Sequence, residues 1–236
     1  MIRLHITVEG QTEQRFVKDV LCLHLADHAV IADARPVLTS KDRRTGTEYR
    51  GGFRRTGAYA TVKRDICAWM KADQNSDARF STMFDLYALP NDFPGYAEAV
   101  READPYRRTA LLETALQADI KRELDDPRFL PYVQLHEFEA LILAAPGQLD
   151  WEYMEHTAQI QRLVEMVARE GGNPELINNG AATAPSKRII AEIPEYDGGK
   201  ATVGPLVVGK IGIPRLREKC AHFDEWLQRL EQLNLG

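Results

Sequence analysis

The sequence predicts an α/β fold, a largely parallel sheet flanked by helices, with a mainly helical C-terminal extension. Three observations predict it. Ile2, Leu4, Ile6 and Val8 alternate with Arg3, His5 and Thr7, the period of a strand, and after Gly10 the spacing becomes the helical one of Phe16, Val17, Val20, Leu21 and Leu25. Strand-like and helix-like stretches then alternate to about residue 150, as a chain of βαβ units requires. Beyond that point amphipathic helices are separated by segments rich in Gly, Pro and Asn. We therefore expect a core over residues 1–150 and a helical extension over 151–236 packed on it as one compact unit.

Each element has its own signal. Strand one ends at Glu9, Gly10 makes the turn, and Thr12 serves as an N-cap for the first helix. A short strand is expected around Val30 to Leu38, followed by a basic, Gly-containing loop. "YATVKRDICAWMKAD" places Val62, Ile66 and Met70 on one helical face. "FSTMFDLYALP" reads as a buried strand ending near Asp85, with turn residues Pro90, Asn91, Asp92, Pro94 and Gly95 behind it. A long helix is expected from about Tyr106 to Asp125, stopped by Pro127 and Pro131. "YVQLHEFEALIL" is a fourth strand passing into a helix. Helices around Ala158 to Glu170 and over "HFDEWLQRLEQL" belong to the extension.

Composition narrows the class. The chain has 236 residues, 44% hydrophobic and 28% charged, as a folded globular protein does. No apolar run approaches 18 residues and no basic start leads into an apolar stretch, so a cytoplasmic protein without membrane contact is expected. Cys22, Cys67 and Cys220 lack metal-site or disulfide spacing and read as reduced packing residues. Net charge is −5, yet Lys41 to Gly57 carries six basic residues against two acidic ones. Arg43, Arg44, Arg50, Arg54 and Arg55 of this segment are candidate contacts for nucleic-acid phosphates, with Tyr49 and Phe53 able to stack on bases or simply to pack.

The chemistry is expected at the carboxyl ends of the strands, where acids from separate strands meet in an open parallel sheet. Strand one supplies Glu9, with Glu13 in the next helical turn. The buried strand supplies Asp85, and the fourth supplies Glu137 and Glu139. Carboxylates so gathered raise one another's pKa unless cations neutralise them, and Mg²⁺ or Mn²⁺ suits an all-oxygen donor set. Taken singly, Glu13 is equally a first-turn acid complementing the helix dipole and Glu9 a strand terminus.

"VEGQTE" resembles the E-G-x-T-E signature of Toprim domains, the catalytic fold of topoisomerases, primases and OLD-type nucleases. Asp85 in "FDLY" matches the first acid of their D-x-D motif, and "HEFEAL" is similar to the paired acids of OLD-type nucleases. Across nearly its whole length the chain resembles domain-of-unknown-function family 4276, Toprim-like proteins often linked with phage-defence loci, with "NPELIN", "PSKRI", "GKIGI" and "CAHFDEWL" supporting that closer match. The resemblance implies a metal-dependent nuclease or nickase, acting on DNA ahead of RNA, with Glu9, Glu13, Asp85, Glu137 and Glu139 holding two divalent metals. It also implies a lysine offsetting transition-state charge, Lys210 first and Lys187 second, and a separate partner ATPase of the AAA or ABC type. Lys187 is also counted among the nucleic-acid contacts. Tyr87 replaces the second acid of D-x-D, which weakens a topoisomerase or primase reading more than an OLD-like one. A nuclease needs these five acids within metal-bridging distance and open to solvent. The competing reading is a non-catalytic Toprim-like binding or sensor subunit, which could scatter them or tie them up with arginines. A third is a phosphatase-like or small-nucleotide phosphoesterase with a closed pocket.

Other signals are discounted. "GPLVVGK" satisfies GxxxxGK, but Ile211 stands where a P-loop needs Ser or Thr. His136 and Asp92 are possible additions to the metal site, each with a simpler structural reading. His5, His24, His28, His156 and His222 have no spacing that we read as metal-binding.

Overall fold

The computed structural model describes residues 1–42, 44–53, 58–177, 180 and 183–235. Its sheet has the order β2-β1-β5-β6, with β7 also paired to β5, and every pairing is parallel. The strands are β1 (Ile2–Val8), β2 (Val30–Pro36), β5 (Ala78–Asp85), β6 (Phe129–Leu130) and β7 (Val133–Gln134). Ile2 to Val8 run in step with Val30 to Pro36 on one side, and Arg3 to Val8 with Ala78 to Met83 on the other. The carboxyl ends of β1, β5 and β7 consequently share one edge.

The alternation seen in β1 has a direct cause in packing. Leu4, Ile6 and Val8 are wholly buried on one face, against Phe16, Val17, Leu21 and Leu25 of α1, which consists of Gln11–Phe16, a π-helical stretch Val17–Leu21 and Cys22–Ala26. Phe223, Trp226, Leu227 and Leu230 of the last helix close the same cluster, so residues beyond 150 share a core with the first strand. The opposite face packs α2 (Ala58–Ala72), through Val62, Ile66 and Met70, and α3 (Pro105–Leu124), through Leu112, Leu116 and Ile120. Asp104 caps α3 by accepting hydrogen bonds from the Tyr106 and Arg107 amides.

Three expectations need correction. The fourth strand is two short pieces with Pro131 between them, because Pro has no N–H for a ladder, and Leu135 to Phe138 lie beyond them. The basic segment is not a plain loop: β3 (Leu38–Lys41) and β4 (Glu48–Arg50) form an antiparallel hairpin. The extension is helical as expected, but the Gly- and Pro-rich stretches read as its separators are themselves largely helical: after α4 (Glu139–Ile142) and α5 (Thr157–Arg169) come α6 (Pro185–Glu192), α7 (Tyr196–Ile211), α8 (Ile213–Lys219) and α9 (Ala221–Glu231). α7 lies along α1, with Gly204 and Gly209 at the contact: a Cβ on Gly204 would meet Tyr196 Oη at 3.2 Å, Phe138 Cε1 at 3.3 Å and Thr12 Cγ2 at 3.4 Å, and one on Gly209 would meet Val20 Cγ2 at 3.3 Å. Close helix packing overrides poor intrinsic propensity there. The GxxxxGK match falls inside this helix, so it forms no phosphate-binding loop.

The candidate metal site

Glu9 follows β1 directly. Its amide donates to Met83 O (3.2 Å) and its carbonyl accepts from the Gly52 amide (2.8 Å), tying together β1, β5 and the segment after β4. Gly10 is the N-cap of α1, and its amide donates to Glu13 Oε2 at 2.7 Å, so Glu13 reaches back as the acidic half of a capping box. Glu13 is thus both a cap and a member of the acidic edge. Asp85 ends β5 opposite Gln134.

Glu137 and Glu139 reach this edge from the turn after β7. His136 makes that turn with a φ of 62°, a left-handed conformation. Both of its ring nitrogens are occupied: Nε2 lies 2.8 Å from Glu175 O and Nδ1 3.0 Å from Tyr87 Oη. Burial lowers its pKa, which fits a neutral ring donating to the carbonyl and accepting from the tyrosine. Both ring nitrogens of His136 are thus engaged in structural hydrogen bonds, and Tyr87, at the position of the second acid of D-x-D, buttresses it. Asp92 lies exposed in the turn beyond Pro90.

Glu9, Asp85 and Glu139 feel the charges of the acids around them. Glu9 is pushed up to about 8, by burial first and then by the charges of Glu13, Glu137 and Glu139. Asp85 is raised well above the usual carboxylate range by burial and by Glu9, Glu13 and Glu139. Glu139 is pushed up to about 7 by burial and Glu137, and Glu13 is raised by burial. One oxygen of Glu9 (Oε2) and one of Asp85 (Oδ1) are buried without a hydrogen-bond partner. Among the described residues none of the five carboxylates forms an ion pair with Lys, Arg or His, and no three of them bring ligand oxygens within 4.8 Å of one another. The cluster is gathered but not clenched. Its donor set is all oxygen, and two orphaned buried oxygens are what a hard cation retaining several waters would satisfy.

The extension supplies the groups that the sequence did not reveal. The Ser186 amide, at the start of α6, donates to Glu137 Oε2 at 3.0 Å. Tyr196 Oη, at the start of α7, donates to Glu139 Oε1 at 3.2 Å, and Lys200 one turn on is the cation that counters the rise of the Glu139 pKa. The i, i+4 spacing of Tyr196 and Lys200 was the available signal, hidden because the segment did not read as a helix. Lys210 is placed differently from the expectation: ten residues along α7, about 15 Å at 1.5 Å per residue, its Nζ lies 4.0 Å from the centroid of the Trp151 ring. Lys187 is exposed beside Ser186.

The basic segment divides. Arg50 is committed to structure, with Nη1 on Asp65 Oδ2 at 2.8 Å and Nη2 on Glu48 Oε2 at 2.7 Å. Arg44 is exposed at the hairpin tip, while Arg43, Arg54 and Arg55 lie outside the described residues. Phe53 packs edge-on against Phe84, at 5.1 Å between centroids, so packing accounts for it, and Tyr49 is exposed.

A family model described as "Domain of unknown function (DUF4276)" matches residues 8–231. The chain belongs to this family. The matched span of this DUF4276 protein contains every acid of the cluster and the helices that cover it. No curated protein and no solved structure matches it. No helix among the described residues is long and apolar enough to cross a membrane.

Proposed function

We propose that this DUF4276 protein is a Toprim-type, divalent-metal-dependent nuclease or nickase that hydrolyses phosphodiester bonds, in DNA ahead of RNA, and serves in phage defence beside a separate AAA- or ABC-type ATPase. The observation that carries the reading is the convergence of Glu9, Glu13, Asp85, Glu137 and Glu139 on one sheet edge with no arginine or lysine paired to them among the described residues. A sensor subunit that had lost catalysis would have no reason to keep these charges together, because their mutual repulsion destabilises the fold.

Mg²⁺ or Mn²⁺ held by these carboxylates would supply the Lewis acidity that stabilises negative charge on a phosphodiester. The chain's own groups do the positioning. The Gly10 and Ser186 amides orient Glu13 and Glu137, and Tyr196 orients Glu139. Lys200 provides positive charge beside Glu139, which makes it a better candidate than Lys210 for offsetting charge in the transition state. The Gly52 to Glu9 hydrogen bond brings the segment after β4 to the acids, where a nucleic-acid backbone would have to pass.

The test is conversion of supercoiled plasmid to nicked or linear product in Mg²⁺ or Mn²⁺, beside an EDTA control and the Glu9→Gln and Glu137→Gln variants. Metal-dependent cleavage lost in both variants is the expected result. Absence of cleavage together with absence of Mn²⁺ binding by calorimetry would overturn the proposal for the isolated chain.

A further inference from the structure

Toward the other end of α1 from the acids, His24 lies in the last turn of the helix and His28 in the turn that follows it, with ring centroids 5.2 Å from each other. Glu231, the last residue of α9, faces them. Its Oε1 lies 2.7 Å from His24 Nε2 and 3.7 Å from His28 Nε2. Among the described residues these three alone bring ligand atoms from three His, Cys, Asp or Glu side chains within 4.8 Å of one another.

We propose that His24, His28 and Glu231 form a binding site for a divalent transition metal of the zinc class, separate from the acidic edge. Two imidazoles and one carboxylate select Zn²⁺ and its neighbours over Mg²⁺ or Ca²⁺, which prefer oxygen donors throughout. Around tetrahedral zinc, with bonds near 2.0–2.2 Å, ligand atoms sit about 3.4 Å apart. The observed 2.7 and 3.7 Å bracket that spacing, so side-chain adjustment alone can admit the ion. In its absence the short contact of His24 with Glu231 is a hydrogen bond, whose proton the metal would replace. All three side chains are partly buried, with 23%, 37% and 12% of their surfaces exposed, so an ion can enter from solvent and a water can take the fourth position.

Arg217 completes the surroundings. Its Nη1 lies 2.7 Å from the same Glu231 oxygen and its Nε 2.6 Å from Asp224 Oδ1, so it orients the carboxylate and would have to share it with the ion. Local spacing does not reveal this site, because Glu231 lies more than 200 residues along the chain from His24 and His28. Metal here would join α1 to α9, residues that the unfolded chain does not hold together, and binding would therefore stabilise the fold.

The experiment is a calorimetric titration of Zn²⁺ into metal-stripped protein, wild type beside His24→Gln, His28→Gln and the Glu165→Gln control. One Zn²⁺ per chain is expected, with a rise in Tm of about 5–10 °C at a hundredfold excess over Kd. Each histidine variant should weaken binding at least about 100-fold, beyond the loss usual for an outer-shell partner, and Glu165→Gln, exposed on α5 away from both sites, should leave it unchanged. Histidine ring NMR signals of the wild-type chain provide a reading that does not depend on any variant folding: His24 and His28 should shift with zinc, the other four should not. No Zn²⁺ binding by the wild type, binding that persists in both histidine variants, or unmoved His24 and His28 signals would each overturn the proposal.

Discussion

Glu9→Gln should stabilise the metal-free protein, and the gain should grow with pH. The carboxyl of Glu9 rises from an ordinary 4.5 to about 8 on folding, because it is buried among other acids. The folded state therefore holds a proton that the unfolded state releases, and stability falls as pH rises from about 4.5 to about 8. At pH 7 the interval from 4.5 is 2.5 units, and at 1.36 kcal/mol per unit the penalty is about 3 kcal/mol. At pH 5 it is under about 1 kcal/mol. For a chain of this length about 3 kcal/mol corresponds to a rise in Tm of roughly 6–12 °C. Calorimetric melting of wild type and Glu9→Gln in EDTA, at pH 5 and pH 7, measures the difference directly. Saturating Mg²⁺ should narrow or reverse it, since the wild type alone retains the full donor set. A variant less stable than wild type at pH 7 in EDTA, or a difference that does not change with pH, would refute the account of Glu9 as an uncompensated buried acid.

Further outcomes follow from the same contacts. Tyr196→Phe should cost about 1 kcal/mol in urea unfolding, the net worth of the hydrogen bond to Glu139, and should lower cleavage by displacing that carboxylate. Gly204→Ala should destabilise by up to about 2 kcal/mol, because three atoms stand within 3.4 Å of the added Cβ and crowding outweighs the helix-propensity gain of about 1 kcal/mol. Gly198→Ala, with open space around it, should instead stabilise by about 0.5–1 kcal/mol, and the pair can be compared in one thermal melt. In the plasmid assay Lys200→Ala should reduce the rate at least about tenfold, whereas Lys210→Ala, which loses only its contact with Trp151, should stay within about twofold.

The sequence by itself determined the local elements and the composition of the acidic edge. The alternation of Ile2 to Val8, the Gly10 turn and the Val62, Ile66 and Met70 face are short-range patterns, and each appears in the core where its period requires. Five acids at strand ends were legible because a parallel sheet puts all its carboxyl ends on one side. Tertiary structure alone decided the rest. It turned a stretch containing Gly198, Gly199, Gly204, Pro205 and Gly209 into helix α7, because small residues let that helix lie close against α1. It brought Tyr196 and Lys200, rather than Lys210, to Glu139, tied Arg50 to Asp65 instead of leaving it free, and filled both nitrogens of His136. It also set Glu231 against His24 and His28. Each of these outcomes depends on a contact between residues distant in the chain, and local periodicity carries no information about which distant surfaces will meet.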